Sequence, residues 1–176
     1  MIPTQKNLED AIFDALDKTL IKLLSMYPDH SFYYFALITT GEASSPFISV
    51  WSRELLESTA KSNEDTENLK WSCSESPLCF FAVECFKTVD DLFQRRPEMN
   101  SDLSDAEWKL EYDLRLDAME FALKRLDLNG VFGLGKARDK IYINVECMPP
   151  DYTNTDRAYR LNPINALSTW LEEAAE

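Results

Sequence analysis

Residues 130–147 read GVFGLGKARDKIYINVEC, and the fold turns on what lies on either side of their glycines. Gly130, Gly135 and Lys136 fall at the spacing G-x-x-x-x-G-K, which in a P-loop cradles nucleotide phosphates on backbone N–H groups. Such a loop leaves a β-strand and enters an α-helix whose N-terminus faces the phosphates. Here the order is reversed: the glycines follow a helical pattern and lead, through ARDK, into the strand-like run IYINVEC. Ala137 stands where a Ser or Thr hydroxyl would hold magnesium, and Val131, Phe132 and Leu134 are bulky for a loop that wraps a nucleotide. The stretch reads instead as a helix stop. Gly130 takes the left-handed cap, Phe132 packs back on the core, and Gly133 and Gly135 let the chain turn into the strand.

Upstream, Ser104 with Glu107 makes a capping box that opens a long helix running to Leu128. Trp108, Tyr112, Leu116, Met119, Leu123 and Leu126 recur on one face and are expected in the core. Leu110, Leu114 and Phe121 fall on nearly the opposite side, which predicts a helix sandwiched within the fold. Asp113, Asp117 and Glu120 form an acidic band between the two stripes, expected to remain exposed. With Asp102, Asp105, Glu107 and Glu111 near the helix start they make a candidate partner-binding surface. Residues 98–120 hold eight carboxylates against Lys109 and Arg115. The loop from Gly41 to Ser45 is the next surface to consider.

Working outward, residues 7–27 carry Leu8, Ile12, Leu16, Leu20, Leu23 and Tyr27 at helical spacing, and Pro28 ends that helix. FYYFALITT (32–40) and PFISVW (46–51) read as a β-hairpin around Gly41. Arg53–Lys61 reads as a helix and SNEDTENL (62–69) as a polar loop. The helix containing Val83, Val89, Leu92 and Phe93 begins at Ser76-Pro77 or at the Thr88/Asp91 capping signal, and Arg96-Pro97 closes it. After IYINVEC, PPDYTNTD is expected to be a loop, and Asn162-Pro163 opens a last helix that buries Leu167, Trp170, Leu171 and Ala174. The whole chain, residues 1–176, is expected to form one α+β domain, a mainly antiparallel sheet of about three to five strands packed by amphipathic helices.

Charge narrows the function. Asp and Glu number 31 against 18 Lys and Arg, a formal charge of -13, which repels phosphate backbones and disfavours nucleic-acid binding. Such a surface suits solubility or steering toward a basic protein partner. No run reaches the ~20 apolar residues of a membrane span, and the N-terminus lacks the pattern of a signal peptide, so a cytoplasmic protein without membrane association is expected. Cys73, Cys79, Cys85 and Cys147 include no C-x-x-C pair, and the single histidine, His30, is remote from them, so free thiols and no metal are expected. His30 has no partnering nucleophile motif, so no catalytic residue is assigned. Tyr33, Tyr34, Trp51 and Trp71 read as core or rim aromatics rather than a base-stacking platform, which would need basic neighbours.

FYYFALITTGE, KWSCSESP, RLDLNGVFG, KIYINVECMPPD and RLNP, in that order over nearly the whole chain, resemble the bacterial family catalogued as domain of unknown function 4303. In that family the second stretch is a Trp-Ser-Pro-type loop, from which Cys73 departs. The resemblance implies no enzymatic activity. Small acidic bacterial families of this kind are often encoded beside secreted toxins, so it implies an immunity-like inhibitor of a basic toxin domain. A small ligand-sensing or scaffolding domain is the alternative, ahead of a nucleotide-binding enzyme. No cofactor is expected.

Overall fold

The computed structural model describes residues 1–100 and 102–175. Its centre is strand β1 (Phe32–Thr40), which pairs antiparallel with β2 (Phe47–Ser52) through the predicted hairpin. On its other side β1 pairs with β3 (Tyr142–Met148), so the three strands run β2-β1-β3 in one sheet. The third pairing is parallel, Phe35 opposite Ile143 and Leu37 opposite Val145, so the sheet is mixed rather than mainly antiparallel. Strand β2 returns the chain to the starting end of β1, and residues 53–141 then carry it past β1 to β3.

Side chains alternate across this sheet. Phe35 and Leu37 of β1, Ile48 and Val50 of β2, and Ile143, Val145 and Cys147 of β3 join one core. Helix α1 (Gln5–Met26) covers it with Leu8, Ile12, Leu16 and Leu23. The same core takes Leu116, Met119, Leu123 and Leu126 of the long helix that opens at Ser104. Tyr34, Ala36, Trp51 and Tyr142 face the opposite way into a second core. Both faces of β1 are therefore covered, which explains its nearly continuous apolar run.

Local chemistry sets the helices. Thr4 and Asn7 cap α1 reciprocally. Ser52 caps α2 (Arg53–Thr59) by accepting from the Leu55 N–H. SNEDTENL is not a loop: Ser62 caps a short helix, α3 (Asn63–Leu69), that has no fully buried residue and only Leu69 packed partly on a core, so it carries no apolar period. The middle helix starts at neither expected place. A short 3-10 turn (Val83–Phe86) leads into α4 (Lys87–Phe93), leaving Thr88 inside it. The Ser76 hydroxyl instead donates to the Val50 carbonyl at 2.5 Å and accepts from the Leu78 N–H.

The long helix, α5 (Asp105–Leu128), has the expected capping box at Ser104 and Glu107. It stops as read. Gly130 sits at φ +76°, its N–H bonds the Asp127 carbonyl, and Phe132 is buried. Gly133 at φ +91° then takes the chain into a 3-10 turn (Gly135–Lys140) and β3. The sandwich expectation fails, because Leu110 is 70% and Phe121 44% exposed, although Leu114 packs partly on the core.

PPDYTNTD is largely helical, not a loop. Asp151 accepts from the Thr153 N–H and opens α6 (Tyr152–Leu161). After Asn162-Pro163 comes α7 (Ile164–Glu173), whose Leu167 and Trp170 enter the second core with Leu56 of α2.

Polar side chains from α6 and its end satisfy the outer edge of β3. Asn162 accepts from the Ile143 N–H and donates to its carbonyl, at 2.9 and 2.6 Å. Arg157 Nε donates to the Val145 carbonyl at 2.7 Å. Asn154 accepts from the Cys147 N–H at 2.8 Å and donates to its carbonyl at 3.1 Å. On the far edge, the Ile48 carbonyl of β2 accepts from the Phe80 N–H at 3.0 Å. Among the described residues no helix is long and apolar enough to cross a membrane.

Candidate partner-binding groove

The seven candidate carboxylates do not act as one surface. Glu107 spends its carboxylate on the cap of α5, accepting from the Ser104 N–H at 3.0 Å and hydroxyl at 2.5 Å. Those two hydrogen bonds, the hydroxyl's first, lower its pKa. Glu111 is internal, not exposed: it is 5% accessible and lies between two guanidinium groups. Arg96 Nε and Arg115 Nε each donate to one of its oxygens at 2.7 Å, and Arg96 Nη2 donates to the other. Asp102 and Asp105 are exposed beside the start of α5.

Asp113, Asp117 and Glu120 do come together, along a groove of about 740 Å³ between α5 and α6. Glu120 is buried rather than exposed, held by Arg160 of α6. Asp113 is exposed and pairs with Lys109 one turn away, at 2.6 Å. Asp117 is exposed and, among the described residues, makes no hydrogen bond or ion pair with a cation. Its pKa is raised, first by partial burial and then by the charges of Glu120 and Asp113.

The sequence did not show what else lines this groove. Trp108 and Tyr112, read as core residues, are only half-buried and stack on each other there, with ring centroids 4.9 Å apart and planes 16° apart. From α6 come Thr153, Asp156, Arg157 and Arg160. Arg157 is 3% exposed and committed to Val145, Thr153 and Asn154, so its cation serves the fold. The spacing of Asp156 and Arg160 could have signalled a helix face, but only once α6 was recognised as a helix.

Two acids beside a pair of stacked aromatic faces suit a guanidinium or ammonium group. The carboxylates accept charge-assisted hydrogen bonds, and the exposed ring faces attract the cation through their quadrupoles.

His30, the loop from Gly41 to Ser45 and the four cysteines lie outside this groove. His30 Nδ1 lies 2.8 Å from the Ser52 hydroxyl and 4.0 Å from the Glu54 carboxylate, so both groups address the same ring nitrogen. A relay would use both nitrogens. Glu54 accepts from the Ser31 N–H at 2.8 Å, and the backbone hydrogen bonds it receives, Ser31's first, lower its pKa to about 2. The loop from Gly41 to Ser45 is fastened to α4 by the Ser45 hydroxyl donating to Asp90 at 2.5 Å. Cys147 is buried and the other three cysteines are partly buried, all as free thiols.

No match was found among curated proteins or among solved structures. A family model described as a domain of unknown function (DUF4303) matches residues 12–163, from the first half of α1 through all three strands and α6, and the chain belongs to that family.

Proposed function

We propose that this protein is a non-catalytic acidic binding protein that neutralises a basic protein partner by occluding it, in the manner of a cytoplasmic immunity protein against a bacterial toxin domain. The observation that carries this reading is the position of Asp117. Its carboxylate stands in the α5–α6 groove beside Asp113 and the Trp108–Tyr112 stack, where partial burial first, and then the charges of Glu120 and Asp113, already disfavour its ionised form. An arriving cation relieves that repulsion. The formal charge of -13 would draw a basic partner in from a distance.

The test uses the product of the neighbouring gene as partner. Cells expressing that product should be protected by this protein, and the two should associate faster at low salt. Replacing Asp113 and Asp117 with Asn keeps shape and removes charge, and should slow association about tenfold at low ionic strength, with little effect at high salt. An association rate and salt dependence equal to those of the parent would exclude the groove. Absence of both protection and association would exclude the immunity reading.

A further inference from the structure

On the sheet face turned away from α1 and α5, β3 carries a carboxylate that the groove does not use. Glu146 is 6% exposed, and the Tyr34 hydroxyl donates to one of its oxygens at 2.8 Å while the Tyr142 hydroxyl donates to the other at 3.2 Å. Glu146 borders a cavity of about 250 Å³ walled by Trp71, Trp170, Met148 and Cys73. Exposed Ser74 and Pro150 also line it and mark its mouth at the surface. None of the described residues lining it is basic.

The wall formed by the Trp71 loop is fastened to the sheet. Tyr33 donates to the Lys70 carbonyl at 2.7 Å, Trp51 Nε1 to the Ser72 carbonyl at 2.8 Å, and Ser49 to the Cys73 carbonyl at 2.7 Å. Trp71 is oriented further by its indole N–H, which donates to Glu173 at 2.7 Å. Trp170 is fixed from the opposite side by stacking on Tyr142, with ring centroids 4.7 Å apart. Both indoles are thus positioned before any ligand arrives, which lowers the ordering cost of binding.

Burying a carboxylate is costly, and donors to its charged form offset that cost. The two phenols do this for Glu146. Its influence reaches Cys73, whose thiol is pushed up to about 11, mainly by burial and then by the Glu146 charge. One carboxylate, with Ser72, Ser74 and Asn154 among otherwise apolar and aromatic walls, is no ligand set for a metal ion, and no metal-binding group of three acidic, Cys or His side chains occurs among the described residues. The same combination suits a cation with an apolar skin, which indole faces hold well. The space equals that of about eight waters, enough for a headgroup-sized molecule and too small for a drug-sized one.

We infer that this cavity binds a small organic cation, an alkylammonium solute whose charge meets Glu146 and whose methyl groups pack on Trp71 and Trp170. The test titrates the full chain with choline and with its neutral carbon isostere, 3,3-dimethyl-1-butanol, followed by calorimetry and tryptophan fluorescence. Choline should bind at least tenfold more tightly than the isostere. Glu146→Gln should remove that preference, and Trp71→Phe should weaken choline binding several-fold; the latter decides the matter if the former does not fold. Phosphatidylcholine vesicles form a second arm: binding to vesicles in place of free choline would overturn the solute assignment. No choline binding, equal affinity for choline and isostere, or choline binding unchanged in the folded variants would overturn the site itself.

Discussion

Arg160 grips Glu120 through two hydrogen bonds, Nε to one carboxylate oxygen and Nη2 to the other, both 2.8 Å long. This pair joins α6 to α5 and neutralises one of the three acids of the groove. Arg160→Ala should destabilise the protein by about 1–3 kcal/mol, between the values for an exposed and a buried pair, because it strands a buried carboxylate. It should also raise the pKa of Asp117 further, since Arg160 is one of the charges that lower it. Denaturant melts and an NMR titration of the Asp117 carboxyl measure the two effects. An unchanged Asp117 titration would show that Arg160 does not act on the groove.

Asp117 should be a residue the fold would be more stable without. Its pKa is raised above the ordinary 3.8, by burial first and by Glu120 and Asp113 next. A folded state that holds a proton more tightly than the unfolded chain is favoured at low pH. That contribution is lost as pH rises through the folded-state value. Asp117→Asn should therefore raise the melting temperature at pH 7, by about 1–3 °C for a contribution of surface size. The gain should vanish near pH 3, where the parent carboxyl is protonated as well. A variant less stable than the parent at pH 7 would contradict this.

Glu111 has the opposite sign. Burial pushes its carboxyl up, but the hydrogen bonds from Arg96 and Arg115 outweigh burial and hold it below the ordinary 4.5. Its stabilisation is complete above that value and is lost as pH falls through the folded-state pKa. Glu111→Gln, which leaves two guanidinium groups without their shared partner, should cost about 3–5 kcal/mol at pH 7. The parent and variant should converge in acid. Parallel stability curves down to pH 2 would remove Glu111 from the acid response.

Two glycines after α5 should differ in their tolerance of a side chain. A Cβ added at Gly130, φ +76°, would meet only Leu134 side-chain atoms at 3.5 Å or beyond. At Gly133, φ +91°, it would lie 3.0 Å from the Ala137 Cβ and 3.3 Å from backbone. Gly130→Ala should cost about 1 kcal/mol, the conformational penalty alone. Gly133→Ala should cost at least about 1 kcal/mol more, because crowding adds to the strain. Equal melts for the two variants would show that contact with the 3-10 turn is unimportant.

Legibility followed the apolar pattern. The capping box at Ser104, the stop at Gly130 and all three strands could be read because their signals are local: a Ser-x-x-Glu pair, a glycine after an apolar period, and short apolar runs. Helix α6 could not be, since two of the four residues it buries, Asn154 and Arg157, are polar. Its helical period exists, but is written in hydrogen-bonding groups. The parallel pairing of β1 with β3 was hidden for another reason: the partners are distant in sequence, and alternation along a strand says nothing of its neighbour's direction. At the groove, the sequence placed Asp113, Asp117 and Glu120 on one face of α5. It could not show that Arg160 would pair with Glu120, or that Arg96 would join Arg115 of the same helix in drawing Glu111 inward, because Arg160 and Arg96 come from other segments.

The side chains fastened along the sheet also limit how anything can attach to it. An exposed strand edge is a template on which a foreign extended segment, or a second copy, can build another strand. Here Asn154, Arg157 and Asn162 occupy the outer groups of β3 at Ile143, Val145 and Cys147. Ser76 and Phe80 occupy the outer carbonyls of β2 at Val50 and Ile48. A partner arriving as an extended peptide would find those ladder positions already filled. Edge-to-edge aggregation is opposed by the same hydrogen bonds, and recognition is left to helix faces and to the clefts between them.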